Sequence, residues 1–212
     1  MKHTGNLEIT SGNAHLYAKL TEISGDLRVY GYARLDALQS VGGDLVVYGS
    51  ATLDAPALQS VGGDLRVNGS ATLDALQSVG GDLVVNGSAR LDAPALQSVG
   101  GDLRVYGYAR LDAPALQSVG GDLVVYGSAT LDALQSVDGE DVSNGKIKFI
   151  ETPVWIAICT PKMLRIGCQR RTWEEWIGMS NDEIGSLDEN AAKIAKEYRA
   201  KLLKIHEELK GQ

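Results

Sequence analysis

Phenylalanine occurs once in 212 residues, and Phe, Trp and Tyr together make up 6% of the chain. That is unusual for a globular core and points to a slim, regular one built from Leu, Val and Ala. Only two cysteines are present, Cys159 and Cys168, too few for a disulfide framework. No apolar run approaches the twenty residues of a membrane span. Met1–Thr10 lacks the apolar segment of a signal peptide, so an intracellular, cytoplasmic compartment is expected. Positive charge is also short. The net charge is −7, which makes direct binding to nucleic acid or anionic lipid an unfavourable expectation.

Catalytic signatures are missing as well. No G-x-x-x-x-G-K, G-x-S-x-G or H-E-x-x-H stretch occurs. His3, His15 and His206 stand apart in sequence. No enzyme activity, metal or cofactor is expected, although an enzyme confined to residues 140–212 is a minor alternative.

What the chain has is glycine, 25 residues of it, and repetition. Asp-Leu recurs at Asp26, Asp44, Asp64, Asp82, Asp102 and Asp122, with spacings of 18, 20, 18, 20 and 20. The longer units read LDAPALQSVGGDL and the shorter LDALQSVGGDL, so an extra Ala-Pro marks the difference. With a degenerate first unit from Leu7 to Asp26, seven units run to Val137. In the unit from Leu65 to Asp82, Leu65-x-Val67 and Ala71-x-Leu73 alternate as strands do. Asn68-Gly69 and Gly80-Gly81 are turn residues. No unit holds ten Gly-free residues with helical apolar spacing. One unit cannot bury its apolar side alone, but stacked units bury it as ladders. The expected fold is mainly β: a parallel β-solenoid (β-helix) over residues 1–137, about 34 Å long at ~4.8 Å per coil. A small α+β module over 138–212 follows.

The words LQSVGGDLVVYGSATLDAL resemble the coils of receptor L domains and related leucine-rich-like repeats, approximately L-x-x-(I/V)-G-G-x-L-x-(I/V). The resemblance covers about residues 5–137; it implies the solenoid fold and no particular activity. The near-identical copies, and the segment IGCQRRTWEEW, are similar to phage- or prophage-encoded repeat proteins.

Motif alignment gives surface columns. Two are acidic: Asp26, Asp44, Asp64, Asp82, Asp102, Asp122, and Asp36, Asp54, Asp74, Asp92, Asp112, Asp132. These are corner residues accepting backbone N–H bonds, or else a mimic of a phosphate backbone. Their ~4.8 Å spacing does not match the ~3.4 Å of a DNA strand. A third column alternates Arg28, Val46, Arg66, Val84, Arg104, Val124, the valines relieving arginine repulsion. A fourth reads Tyr30, Tyr48, Asn68, Asn86, Tyr106, Tyr126. A fifth, Arg34, Thr52, Thr72, Arg90, Arg110, Thr130, is too often interrupted by arginine to bind ice. Tyr30, Arg34, Tyr48, Arg66, Arg104, Tyr106 and Tyr126 are the candidate partner-binding residues, because exposed Tyr beside Arg suits a protein interface.

In the second module, strands are expected at Lys146–Glu151, Val154–Thr160 and Leu164–Gln169. With Pro161 and Lys162 as the loop, Cys159 faces Leu164 and Cys168 faces Trp155, leaving both thiols reduced. Thr172 and Glu175 form a capping box ahead of Trp173 and Trp176; Ser186 and Glu189 form another. The second opens a helix over Leu187–Leu209 whose apolar face includes Ile194, Tyr198, Leu202, Ile205 and Leu209. That face is expected to cap the solenoid, make a homodimer or dock another protein. The leading expectation is a non-catalytic interaction scaffold with an unidentified protein partner, possessing the character of an inhibitor of a host or defence protein. The rival is an acidic nucleic-acid mimic.

Overall fold

The computed structural model describes residues 1–126, 128–137, 140–141, 148–151, 156–166, 169–180, 183, 186 and 189–210. Only the backbone is described at 140–141, 149–151, 156 and 189–196. The chain divides into two compact units, Met1–Gly139 and Glu140–Gln212.

The first unit is a parallel β-solenoid. Each coil after the first places a strand in each of three parallel sheets. Sheet A stacks the Leu-x-Val strands from Leu7–Ile9 to Leu123–Val125, seven in all. Sheet B stacks six strands from Tyr32–Arg34 to Ser128–Thr130. Sheet C runs from Lys2–His3 through Ser136–Val137 in two-residue strands. In sheet A, Leu65 pairs with Leu45 and Leu83, and Val67 with Val47 and Val85. The alternation turns Leu65 and Val67 inward, both at 0% exposure, and Arg66 outward. Val79, Leu76, Leu73 and Ala71 line the rest of the coil, none above 1% exposed. The first coil lacks a sheet B strand; a single 3-10 turn, Ala14–Tyr17, stands beside Tyr32–Arg34 instead.

The two coil lengths are accommodated in an unexpected place. The Ala-Pro of long coils is not an insertion in space. Pro56-Ala57 occupies the same turn as Asp36-Ala37 of a short coil, because Leu58 N–H donates to the Ala55 carbonyl as Leu38 N–H does to that of Leu35. The two additional residues lie between sheets A and B instead. Short coils cross that corner with Tyr30-Gly31 alone, whereas long coils use Tyr48-Gly49-Ser50-Ala51, closed by a bond from Ala51 N–H to the Tyr48 carbonyl (2.8 Å). Sheet B therefore pairs Ala33 with Leu53, and Ala71 with Leu53 and Leu91. Coils carry Ala-x-Leu (Ala33, Leu35) or Leu-x-Ala (Leu53, Ala55) in the same two inward places. The summed volume is unchanged, which is what a close-packed core requires.

The corner glycines consequently serve two purposes. Gly87, in a long coil, has φ +70 and open space around it. Gly69, in a short coil, has no such φ, but a Cβ there would strike the Ala51 carbonyl of the coil before it. Gly87→Ala is expected to cost about 1 kcal/mol, and Gly69→Ala clearly more. Equal urea midpoints for the two variants would contradict this division.

The second unit is a four-stranded antiparallel sheet in the order Lys148–Glu151, Ile156–Cys159, Met163–Ile166, Gln169–Thr172. Helices α1 (Trp173–Gly178) and α2 (Glu189–Lys210) accompany it. Cys159 pairs with Leu164, as the Pro161-Lys162 turn requires. The fourth strand was not expected; its Gln-Arg-Arg-Thr sequence carries no apolar alternation. Thr172 caps α1 through the expected box with Glu175. A further box joins Ser180 and Glu183, while the Ser186 hydroxyl donates back to the Glu183 carbonyl at 2.7 Å. The pairing of Cys168 with Trp155 and the side chain of Glu189 lie outside the described residues.

Candidate functional site

The outer surface of sheet A is bordered by two columns. On one side stands the first acidic column, and the structure shows what its carboxylates do. The Asp44 Oδ1 accepts the backbone N–H of Asp64 (2.8 Å), Asp64 that of Asp82 (2.8 Å), and Asp82 that of Asp102 (2.8 Å). The bond runs to the next coil, not within an Asx turn. Asn6 begins the ladder by accepting from Asp26 N–H at 2.9 Å. The second glycine of each Gly-Gly-Asp corner follows from this: a Cβ on Gly81 would collide with the Asp64 carboxylate.

Arginines from alternate coils lie across the same column. Arg66 reaches Asp64 (2.6 Å) and Asp44 (3.8 Å). Arg104 reaches Asp82 (2.8 Å) and Asp102, and Arg28 reaches Asp26 (2.9 Å). The Asp102 N–H, then Arg104, hold the Asp82 carboxyl below the usual range against partial desolvation. Burial lowers the pKa of Arg28, but Asp26 and Tyr48 outweigh it and leave it raised. Asp82→Ala removes the acceptor of a part-buried N–H and is expected to cost about 2 kcal/mol. Asp82→Asn keeps an acceptor, as Asn6 does, and should cost under ~1 kcal/mol. Urea denaturation separates the two; equal losses would show that charge, not the acceptor, matters.

On the other side of sheet A runs the Tyr/Asn column, in register through Tyr48 N–H to Val29, Asn68 N–H to Val47 and onward. Tyr30 and Tyr48 stack with centroids 4.7 Å apart and planes within 5°. Tyr106 and Tyr126 stack at 5.3 Å. Between the columns the Arg/Val stripe is as expected, since Arg66 pairs with Val46 and Val84 in the strand register. Val46 and Val124 are buried at 8% and 3%.

Two expected columns are redrawn by the coil-length correction. Asp54, Asp92 and Asp112 end sheet B strands, and Asp54 neighbours Arg34 and Thr72. Asp36, Asp74 and Asp132 lie one turn further on, in the positions that Pro56, Pro94 and Pro114 occupy in long coils. The second acidic column therefore does not exist as a line. Likewise Arg34 does not stand over Thr52; it opposes Asp54 and binds Asp36 (2.9 Å) and Asp54 (3.2 Å). Thus Tyr30, Tyr48, Arg66, Arg104, Tyr106 and Tyr126 share the sheet A side, and Arg34 belongs to sheet B.

In the second unit, Leu202 and Leu209 are buried with Ala157, Cys159, Leu164, Ile166, Trp173 and Trp176, and Tyr198 and Ile205 pack against this cluster. The helix face expected to dimerise thus covers its own sheet; the Ile194 side chain lies outside the described residues. Burial pushes the Cys159 thiol up to about 12, so it is no nucleophile at neutral pH. Among the described residues, no three His, Cys, Asp or Glu side chains gather as a metal site would need. No helix of the described residues is long and apolar enough to cross a membrane.

His206 is 3% exposed, stacks on Trp173 at 4.4 Å, and leaves its Nδ1 buried without a hydrogen-bond partner. Burial, then Lys210, lowers its pKa, with Glu207 and Glu174 opposing. Because the folded value lies below the unfolded one, its contribution is intact above about pH 6.5 and is lost as the unfolded state takes up the proton below that. All three tryptophans lie in this unit. Tryptophan-detected melting should therefore fall from pH 7 to pH 5, and His206→Phe should flatten the fall.

No family model, curated protein or solved structure matches the chain.

Proposed function

We propose that the chain is a non-catalytic protein-interaction scaffold, with sheet A as the surface that receives a protein partner. The observation that carries this is the pair of tyrosine stacks, Tyr30–Tyr48 and Tyr106–Tyr126, set on a rigid sheet beside an Arg/Val stripe. Stacked rings lose little entropy on binding and present both apolar area and hydroxyls, as interface anchors do. The two stacks lie four coils apart, about 19 Å at ~4.8 Å per coil, which suits an extended partner surface. The likeness to phage-encoded repeat proteins makes inhibition of a host or defence protein the finer form of this reading.

The nucleic-acid mimic has less support, since the carboxylates of the continuous acidic column are engaged by backbone N–H groups and arginines. The test is quantitative capture from the native host with three chains. Tyr30→Ser/Tyr106→Ser should lose the captured protein, while Asn at positions 44, 64, 82 and 102 should retain it. Loss with the Asn chain and retention with the Ser chain would reverse the assignment in favour of the mimic.

A further inference from the structure

We infer that sheet B is a self-association face, pairing with sheet B of a second copy about a two-fold axis parallel to the solenoid axis. Its outward residues form two columns. One reads Tyr32, Thr52, Ser70, Arg90, Arg110, Ser128; the other reads Arg34, Asp54, Thr72, Asp92, Asp112, Thr130. Three arginines and three aspartates make the face neutral, although residues 1–137 hold 14 acids against 8 Lys and Arg. A second copy therefore meets no net charge repulsion on this face.

The charges are also sorted. Arg90 and Arg110 are register neighbours in the first column, and Asp92 and Asp112 in the second. Arg90 binds its own Asp92 at 3.0 Å, whereas no ion pair forms at Arg110 among the described residues. Together with Ser128 and Thr130, these four residues line an open groove of about 210 Å³. A two-fold axis along the solenoid lays the Arg column of one copy over the Asp column of the other: Arg90 meets the partner's Asp92, and Arg110 the partner's Asp112, each twice. A two-fold axis across the strands' stacking direction would lay Arg over Arg, so the sorting selects one arrangement.

The rim agrees. Tyr108, 89% exposed, sits on the four-residue corner before the Arg column. In this arrangement it meets the opposite corner of the same coil in the partner, where the partner's Pro114 offers an apolar surface. Six strands at ~4.8 Å give a face ~29 Å long and ~10 Å wide. That is well below the ~800 Å² per partner of stable complexes, so the association is transient. It does not depend on the sheet A reading.

Sedimentation velocity of the full chain, from about 5 to 500 μM, tests it. The wild type should sediment faster as concentration rises. Arg90→Glu/Arg110→Glu and Asp92→Arg/Asp112→Arg should each remain monomeric, and an equimolar mixture of the two should associate again. Where a charge-reversed chain loses its far-UV spectrum, Tyr108→Ser/Arg110→Gln replaces it and should lower association at least tenfold. A wild type monomeric throughout, or folded variants that associate as it does, would overturn the inference and leave the face to a different partner.

Discussion

Gly80→Ala is expected to destabilise the solenoid by about 3 kcal/mol, at the upper end for a single added methyl group. A Cβ at this position would collide with the carbonyl oxygen of Gly62 in the coil below and sit 3.0 Å from its carbon. Both atoms are backbone, so no side chain can swing away. The coil must lift, and the bond from Gly80 N–H to the Val61 carbonyl, 2.9 Å long, must stretch with it. Gly80 lies in the central part of a stack where each coil touches only its neighbours, so the separation divides the core ladder into two shorter ones. Urea denaturation followed by far-UV circular dichroism reads the loss. A midpoint within ~0.5 kcal/mol of wild type would mean that the coils are not in contact at the Gly-Gly corner.

Trp173→Ala is expected to remove 3–5 kcal/mol from the second unit. Trp173 is 2% exposed, its Nε1 donates to the Thr160 carbonyl at 2.7 Å, and its ring covers His206. Truncation leaves a cavity, removes the Nε1 bond to Thr160 and uncovers the imidazole, losses that a small module cannot absorb. Because the chain forms two compact units, the solenoid should melt as before. Trp176 remains as a fluorescent reporter of the second unit, while seven of the eight tyrosines report the first. A simultaneous drop in both signals would show that the units unfold as one.

The solenoid was legible because its apolar and turn residues recur at 18 or 20 positions and no other period buries them. The Asp26-to-Asp122 column and the Tyr/Asn column were legible for the same reason: both lie near Gly-Gly or Leu-x-Val, where long and short coils have equal length. Sheet B was not. The letters place the length difference at Ala-Pro, whereas the chain takes it up at Tyr-Gly-Ser-Ala. The reason is physical. The turns before Leu38, Leu58 and Leu76 are closed by the same N–H bond in short and long coils, and swapping Ala with Leu leaves the core volume unchanged, so a two-residue slip costs little inside. Outside, it moves Asp54 beside Arg34 and Thr72, and it brings Pro56 to the place of Asp36. The fourth strand of the second unit is not legible because Gln169-Arg170-Arg171-Thr172 has the polar composition of a surface loop. The apolar face of α2 is legible as a face but not by what it covers: Leu202 and Leu209 lie against the sheet of their own unit.

The register of sheet B is where stacking and coil length are tested together. Thr72 pairs directly with Asp92, whereas alignment of the repeat letters would place it over Arg90. Cysteines introduced at 72 and 92, in a chain lacking Cys159 and Cys168, should oxidise rapidly to a disulfide at strand spacing, and cysteines at 72 and 90 should not, being ~8 Å apart on the diagonal. Rapid bridging of 72 to 90 with none of 72 to 92 would contradict the stacking described for every coil.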